Sequence, residues 1–125
     1  MILGTGIDLV EVDRIASSFA RFGERFARRI LRPGEFDYCL SHKDPAKHIA
    51  ARFAAKEAVS KAFGTGIGTA LGWHDIEVIR KPSGEPSIGL HGAGERLLAQ
   101  RGAKRIHLSL THTAAHAAAV AILEG

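Results

Sequence analysis

Two carboxylates and one lysine are the residues best suited to handle a phosphate-bearing substrate. Asp8 lies between Ile7 and Leu9 in an apolar segment, and Glu57 and Lys61 lie one helical turn apart in an alanine-rich segment. Mg²⁺ is held in proteins by one or two carboxylates, with water and phosphate oxygens completing its shell. Asp8 and Glu57 are therefore a candidate Mg²⁺ pair, and Lys61 is a candidate cation for a phosphate.

Each of these residues also has a plainer explanation. Asp8 can be an outward-facing charge on a half-exposed strand, although Gly4 and Gly6 on its face would leave room for a ligand. Glu57 and Lys61 can form an intrahelical ion pair, which is worth only about 0.2–0.5 kcal/mol. The residue types alone leave both explanations open.

The glycine-rich loop Gly64-Thr65-Gly66-Ile67-Gly68 follows the alanine-rich segment instead of preceding it. Nucleotide-binding glycines usually precede a helix, where free N–H groups and the positive end of the dipole face the phosphate. Here the loop either ends the helix as a C-cap or offers its own amides to an anion. A phosphate at this end of the helix would meet carbonyl groups and the negative end of the dipole, so a cation must supply the attraction: Lys61, Lys56 or a metal ion.

The hydrophobic periodicity predicts an α+β fold. Asp13 is the expected N-cap of the first helix, and Gly23 is a possible break in it. Strands are predicted over residues 2–12, 75–81, 87–92, 105–113 and 116–123, and helices over 13–30, 34–42, 45–63 and 93–102.

The long helix predicted over 45–63 has two different sides. At about 100° per residue, most of its alanines share one small, smooth side that suits close packing. The opposite side is expected to gather Phe53, Glu57, Ser60, Lys61 and Gly64, with Arg52 and Lys56 flanking it.

Composition indicates one globular domain over residues 1–125, with no low-complexity segment or linker. The longest nearly apolar run, 114–123, is too short to cross a bilayer, and no signal-peptide pattern opens the chain. The single cysteine, Cys39, cannot form an internal disulfide, which fits a cytoplasmic location. The net charge of +4 and the pI near 9.6 indicate an acidic partner: nucleic acid, a phosphorylated small molecule or an acidic protein.

Two separated motifs resemble the signature of the 4′-phosphopantetheinyl transferases. Gly6-Ile7-Asp8 is followed after 44 residues by FAAKEAVSK, residues 53–61. The likeness extends over GIDLVEVDRI, ARFAAKEAVSKAFGTGIG and LSLTHTAAHAAAVAI, in order along the whole chain. Larger, pseudo-dimeric relatives carry another acid where this chain has Val10, so the chain is more similar to the small single-domain class.

The resemblance implies transfer of the phosphopantetheine arm of coenzyme A to a serine of apo acyl carrier protein, in support of fatty-acid synthesis. It assigns Asp8 and Glu57 to Mg²⁺ and Lys61 to the transferring phosphate, and it leaves the base as either Glu57 or a water on the metal. The implied fold is an antiparallel sheet packed against the long helix, in a homotrimer with its active sites between subunits.

The resemblance also implies a set of residues in contact with coenzyme A. The adenine would lie over the glycine loop, while the turn at 82–86 and the pair 112–113 would reach the nucleotide from a neighbouring subunit. The expected set is Arg52, Ser60, Lys61, Gly64, Thr65, Gly66, Ser83, Gly84, Pro86, His112 and Thr113.

A row of arginines gives the basic charge a specific use, because the carrier protein is acidic. Arg14, Arg21, Arg25 and Arg28 would lie within about 60° on one helix face if Gly23 does not break that helix. Arginine rows are often only solvated faces, but the resemblance favours docking of an acidic helix, with Arg14 as the first candidate. The neighbouring row of Ile15, Phe19 and Phe22 is expected in the core.

Two other functions compete with this interpretation. A nucleic-acid-binding module would use the positive charge, but the few aromatic residues stand at core spacing and no nucleic-acid motif is present. An inactive regulatory relative is the other alternative, and the intact Asp8, Glu57 and Lys61 argue against it. We expect no nucleic-acid or membrane partner.

Overall fold

The computed structural model describes all residues 1–125. Its elements are β1 (Ile2–Glu11), α1 (Val12–Phe22), α2 (Glu24–Ile30), α3 (Pro33–Leu40), α4 (Pro45–Phe63), a short 3-10 helix (Trp73–Asp75), β2 (Ile76–Arg80), β3 (Pro86–Leu90), α5 (Ala93–Gln100), β4 (Arg105–His112) and β5 (His116–Glu124). The expected α+β architecture, with antiparallel strands against the long helix, is confirmed.

The strands form two antiparallel sheets. The larger sheet has the order β1-β5-β4, and β2 and β3 form a separate hairpin. In the larger sheet Gly6 pairs with Ala121 and Asp8 with Ala119, so both partners on β5 are small. Alternate residues of β5 (Ala117, Ala119, Ala121 and Leu123) are buried. The inner face of this sheet therefore consists mainly of small side chains, which lets a helix approach closely.

Helix α4 lies against that inner face at very short range. A Cβ atom added to Gly6 would lie 1.9 Å from the carbonyl oxygen of Ala58, and one added to Gly4 would lie 2.1 Å from that of Ala62. The space beside Asp8 is therefore filled by the backbone of α4. The expectation that these glycines leave room for a ligand is wrong, because they allow the helix to pack on the strand.

The predicted bounds of α4 are confirmed, and several others shift. Pro45 begins α4, and Gly64 ends it in the left-handed region at φ 79°. Gly23, at φ 62°, separates α1 from α2. Helix α1 begins at Val12, with Glu11 as its N-cap residue and no side-chain cap, so the expected capping role of Asp13 is wrong. The 3-10 helix occupies the start of the predicted strand 75–81.

The outer face of the larger sheet exposes apolar side chains. Ile7 is 65% exposed and Leu9 67%, and Val120, which pairs with Ile7, is 38% exposed. None of the helices has the length and apolar character needed to span a membrane.

Candidate active site

The structure brings Asp8 and Lys61 together where β1 lies on α4. The Lys61 ammonium donates to Asp8 Oδ1 at 3.0 Å and to the carbonyl oxygen of Ile7 at 2.9 Å. The Lys61 side chain is 49% exposed and that of Asp8 16% exposed. A lysine ammonium has three donors, so one remains available to a further acceptor. We call Asp8, Glu57 and Lys61 the carboxylate site.

Glu57 belongs to the same group by its electrostatics. Burial raises the pKa of its carboxyl, the nearby Asp8 charge raises it further, and Lys61 opposes both effects. Two neighbouring carboxylates repel each other, and a divalent cation bound between them would remove that repulsion. No group of three or more His, Cys, Asp or Glu residues forms a metal cluster. The donor set of two carboxylates therefore fits Mg²⁺ completed by water and phosphate oxygens.

The glycine loop ends α4 and its first amides are already used. Gly64 donates to the carbonyl of Lys61, and Thr65 and Gly66 both donate to that of Ser60. These amides cannot also cradle an anion, so the suggestion of an anion-binding nest is wrong for Gly64, Thr65 and Gly66. A Cβ atom at either glycine would meet nothing within 4 Å, which leaves an open surface over the loop.

The polar side chains of α4 do not all share its outer side. Lys61 is exposed and Glu57 is half-buried, whereas Ser60 and Lys56 are completely buried and Arg52 is only 5% exposed. The Ser60 hydroxyl donates to the carbonyl oxygen of Glu57 at 2.7 Å. The predicted gathering of polar groups on one side is wrong for these three, because α1, α3 and β2 also pack on α4 and cover sides that its periodicity leaves open.

Arg52 lines a recess of about 250 Å³, which we call the Arg52 cleft. Its guanidinium carbon lies 4.4 Å from the centre of the Tyr38 ring, and its buried Nε atom has no hydrogen-bond partner. A second guanidinium, from Arg80, also flanks the Tyr38 ring and bonds its hydroxyl. The cleft is lined by Tyr38, His48, Ala51, Arg52, Val78, Arg80, Gly84, Pro86, Leu110 and His112.

The cleft has cationic groups and no carboxylate in its lining, which suits an anion. His48 stacks with His42 at 3.8 Å between ring centres and lies near His112 at 5.7 Å. Burial, the other two histidines, Arg52 and Lys47 together lower the pKa of His48 to about 4. His48 is therefore neutral near pH 7, and Arg52 and Arg80 supply the fixed positive charge.

The residues expected to contact coenzyme A are divided between the Arg52 cleft, the carboxylate site and two turns. Arg52, Gly84, Pro86 and His112 line the Arg52 cleft within one chain. Lys61 belongs to the carboxylate site, and the glycine loop begins directly after the last turn of α4, which carries Lys61. Ser83 lies in the exposed turn between β2 and β3. The Thr113 hydroxyl accepts the amides of Ala115 and His116, which fixes the β4–β5 turn, and the Thr65 hydroxyl bonds the Gly66 carbonyl.

Comparison with known proteins decides the family. The family model of the 4′-phosphopantetheinyl transferase superfamily matches residues 4–121. The chain belongs to the 4′-phosphopantetheinyl transferase superfamily. It is 52% identical over 124 residues to a holo-[acyl-carrier-protein] synthase of Koribacter versatilis (strain Ellin345), covering 99% of each chain. It is accordingly an enzyme of the holo-[acyl-carrier-protein] synthase kind.

Solved structures of this transferase family superpose on the whole fold. The holo-[acyl-carrier-protein] synthase of Neisseria meningitidis matches with a TM-score of 0.93 at 35% identity, and 100% of both chains is covered. The Helicobacter pylori enzyme, solved in complex with coenzyme A, matches with a TM-score of 0.85 at 35% identity, over 96% of this chain and 99% of that one.

The arginines expected to dock a carrier protein are exposed on two helices of the transferase. Arg14 and Arg21 lie on α1, and Arg25 and Arg28 lie on α2, so the expected single row is broken at Gly23. The Arg28 guanidinium bonds Glu24 at 3.4 Å and lies 3.9 Å from the Phe36 ring centre.

Sequence reasoning missed several residues of these surfaces. Phe22, which was expected in the core, is 54% exposed. With Ser18, Arg25, Phe26 and Arg29 it lines a recess of about 450 Å³, which we call the Phe22 recess. Tyr38, His48 and Arg80 of the Arg52 cleft were also missed. An alternation of Phe and Arg over 19–29 was the available signal for Phe22, whereas nothing local pointed to Tyr38 or Arg80.

Proposed function

We propose that this chain transfers the 4′-phosphopantetheine arm of coenzyme A to a serine of apo acyl carrier protein, in a Mg²⁺-dependent reaction that releases adenosine 3′,5′-bisphosphate. The observation that carries the proposal is the meeting of Asp8, Glu57 and Lys61 at the contact of β1 with α4. The name of the relatives and the coenzyme A bound to the Helicobacter pylori structure support the choice of substrates.

In this proposal Asp8 and Glu57 hold Mg²⁺. Bound there, the ion would supply positive charge to the pyrophosphate of coenzyme A and to the oxygen that leaves. Lys61 directs its remaining donor at the phosphate being transferred, where negative charge grows in the transition state. Its half-exposed ammonium can reach a ligand without losing both protein contacts.

The serine hydroxyl of the carrier protein attacks the phosphorus atom that bears the pantetheine arm. A new P–O bond forms to the serine, and the bond to the bridging oxygen breaks, which releases adenosine 3′,5′-bisphosphate. The serine proton must pass to a base. The base is either Glu57 or a water at the same site.

Coenzyme A spans the carboxylate site and the Arg52 cleft. The open surface of the glycine loop (Gly64, Thr65 and Gly66) receives the adenine, and Arg52 and His112 receive a phosphate. Ser83, Gly84, Pro86 and Thr113 complete the nucleotide contacts from the two turns. The buried Ser60 contributes by fixing the end of α4 through its bond to the Glu57 carbonyl.

The carrier protein docks on α1 and α2. Arg14, Arg21, Arg25 and Arg28 offer exposed positive charge to an acidic helix. The Phe22 recess adds an apolar contact flanked by Arg25 and Arg29. The charges in this arrangement mainly set the encounter rate and the specificity. The ring of Phe22, exposed in the free chain, becomes buried when the carrier protein binds.

The active unit is a homotrimer of single-domain chains, residues 1–125, working in the cytoplasm on the carriers of fatty-acid synthesis. The exposed apolar side chains of Ile7, Leu9 and Val120 on the outer face of the sheet support subunit contact. Placing one chain's Arg52 cleft near another chain's carboxylate site would complete the coenzyme A pocket.

The deciding experiment is incubation with apo carrier protein, coenzyme A and Mg²⁺, followed by intact mass spectrometry. We expect the carrier to gain the mass of one phosphopantetheine group. Asp8→Ala and Glu57→Ala should abolish the gain, while Glu95→Ala, an exposed carboxylate on α5, should leave it unchanged. Unchanged transfer by both site variants would refute the metal assignment.

Docking has its own test. Arg14→Glu should weaken carrier binding by roughly tenfold or more, since it reverses a charge at the interface. Coenzyme A binding should stay the same, as measured by calorimetry. Equal losses for the two ligands would argue against docking at α1.

A further inference from the structure

The second motif contains another lysine, Lys56, which the proposed chemistry does not use. Lys56 directly precedes Glu57, and its side chain is completely buried. Lysine is almost never fully buried unless it is paired. A buried cation next to a proposed metal ligand therefore calls for a role of its own.

Every donor of the Lys56 ammonium is bonded to the protein. It donates to the carbonyl oxygen of Ile30 at 2.6 Å, to Glu35 Oε1 at 2.7 Å and to the carbonyl oxygen of Trp73 at 3.0 Å. Burial lowers the pKa of Lys56, and the Glu35 carboxylate opposes that effect. With three donors and three acceptors, the ammonium has nothing left for a ligand.

Glu35 is bonded just as fully. Its side chain is completely buried, Oε1 also accepts the amide of Arg32 at 2.7 Å, and Oε2 accepts the amide of Val78 at 2.8 Å. The pair therefore ties the middle of α4 to the end of α2, the start of α3, the 3-10 helix and β2. It occupies the side of the helix that faces away from solvent.

We propose that the Lys56–Glu35 pair positions Glu57 for metal binding. Neighbouring residues on a helix differ by about 100° in direction, so fixing Lys56 fixes the direction of Glu57. The glycines Gly4 and Gly6 hold α4 against β1 on its other side. Clamped from both sides, α4 can neither rotate nor slide, and Glu57 stays turned toward Asp8.

An ion pair suits this position because its hydrogen bonds fix the orientation of the helix. A buried pair adds little stability over well-packed apolar residues of the same size. Its short, charge-assisted bonds are directional, whereas apolar contacts tolerate small rotations. Lys56 is thus a positioning residue, and its effect on the site passes through Glu57.

The test rests on the proposed metal site and measures metal binding without turnover. Mn²⁺ replaces Mg²⁺, and free Mn²⁺ is followed by electron paramagnetic resonance in the presence of coenzyme A. Lys56→Met should weaken Mn²⁺ binding on the order of tenfold, the range found when groups that orient metal ligands are removed. Coenzyme A affinity without metal should not change. Asp8→Ala serves as the reference for loss of a ligand.

Two control variants separate positioning from stability. Ile49→Ala removes buried side-chain atoms from the same helix two turns earlier and leaves both charged groups of the pair in place. It should keep normal Mn²⁺ binding at a temperature where the variant is folded. Lys56→Met/Glu35→Gln removes both charges, and it should recover stability but not Mn²⁺ affinity.

Wild-type Mn²⁺ affinity in folded Lys56→Met, or an equal loss in Ile49→Ala, would overturn the inference. If Lys56→Met does not fold, Glu35→Gln takes its place with the same expectation and the same failure criterion. Wild-type phosphopantetheine transfer together with unaltered Mn²⁺ binding in these variants rejects the positioning role alone. Absence of transfer by the wild-type chain rejects the proposed function.

Discussion

Helix α4 carries two lysine–carboxylate pairs, five residues apart, in opposite environments. Lys56 and Glu35 meet at 2.7 Å with both side chains completely buried. Lys61 and Asp8 meet at 3.0 Å with the lysine 49% exposed. Lys56 donates three hydrogen bonds to protein acceptors, and Lys61 donates two.

The difference shows how one helix separates rigidity from chemistry. A charge inside the protein cannot leave its partner without a large desolvation cost, so the buried pair keeps a single geometry. A charge at the surface exchanges partners at little cost, because water replaces any bond it loses. The proposed reaction needs both behaviours, one to hold the helix and one to meet the substrate.

Removing the buried cation should have the largest effect on stability. Lys56→Ala leaves Glu35 charged, buried and without its ammonium partner, so we expect the free energy of unfolding to fall by about 3–5 kcal/mol. Urea denaturation followed by circular dichroism measures this. Lys61→Ala is the matched control and should change stability by less than about 1 kcal/mol. Similar losses in the two variants would erase the distinction between the pairs.

Removing the exposed cation should have the largest effect on transfer. Lys61→Met keeps the length of the side chain but removes the charge directed at the phosphate, so the rate should fall by roughly 10²–10³-fold. Time courses of phosphopantetheine gain by intact mass measure this. A rate within about threefold of wild type would show that Lys61 serves only the Asp8 contact. Such a change is worth less than about 1.4 kcal/mol of transition-state stabilisation, which corresponds to tenfold.

Glu57, which lies between the two lysines in the sequence, should make the stability depend on pH. The pKa of Glu57 is raised above its ordinary 4.5, so ionisation is easier in the unfolded chain than in the folded one. Its penalty on stability is absent below that ordinary pKa, grows as the pH rises through it, and levels off above the raised pKa.

Glu57→Gln should therefore raise the melting temperature near pH 7. Near pH 3.5 it should leave the melting temperature unchanged, because Glu57 is then neutral in both the folded and the unfolded chain. The effect should be smaller than that of Lys56→Ala because Glu57 is only partly buried. Thermal scans of both proteins across this range measure it. A stabilisation that is equal at both ends of the range would assign the gain to packing instead of charge.

Salt should affect the two pairs differently, and this is the smallest expected effect. Double-mutant cycles give a coupling energy for each pair, and exposed pairs usually give about 0.2–1 kcal/mol. At about 1 M salt, where the screening length is roughly 3 Å, the Asp8–Lys61 coupling should fall because the Lys61 end of the pair is open to solvent. The Glu35–Lys56 coupling should persist. Equal salt sensitivity would contradict the difference in burial.

Local sequence features predicted most elements correctly. Pro45 and Gly64 marked the ends of α4, and Gly23 marked the break between α1 and α2, because proline and glycine act on the backbone at their own positions. The capping role given to Asp13 failed because α1 begins directly at the end of β1, where Glu11 already occupies the N-cap. Boundaries depend on what the chain does before and after, which a single capping residue does not reveal.

The candidate site was predicted in part. The spacing of Asp8 and Glu57 identified two acids, and the structure places them within each other's electrostatic influence. The glycines beside Asp8 were misinterpreted, because the chain itself fills the space that a ligand was expected to use. Phe22 was assigned to the core from its helical spacing, yet no element covers it. Periodicity reports which residues share a face and says nothing about what lies opposite.

By itself the sequence determined the elements, the family and the two acids with their lysine, since these depend on residue types at fixed separations. Only the tertiary structure decided that Lys56 is internal and Lys61 external, and that Tyr38 and Arg80 meet Arg52. Such contacts join residues many positions apart, and burial depends on every element that packs around a helix. Whether a charged side chain is buried and fully bonded or exposed therefore depends on its neighbours in space, and a local sequence pattern does not predict those neighbours.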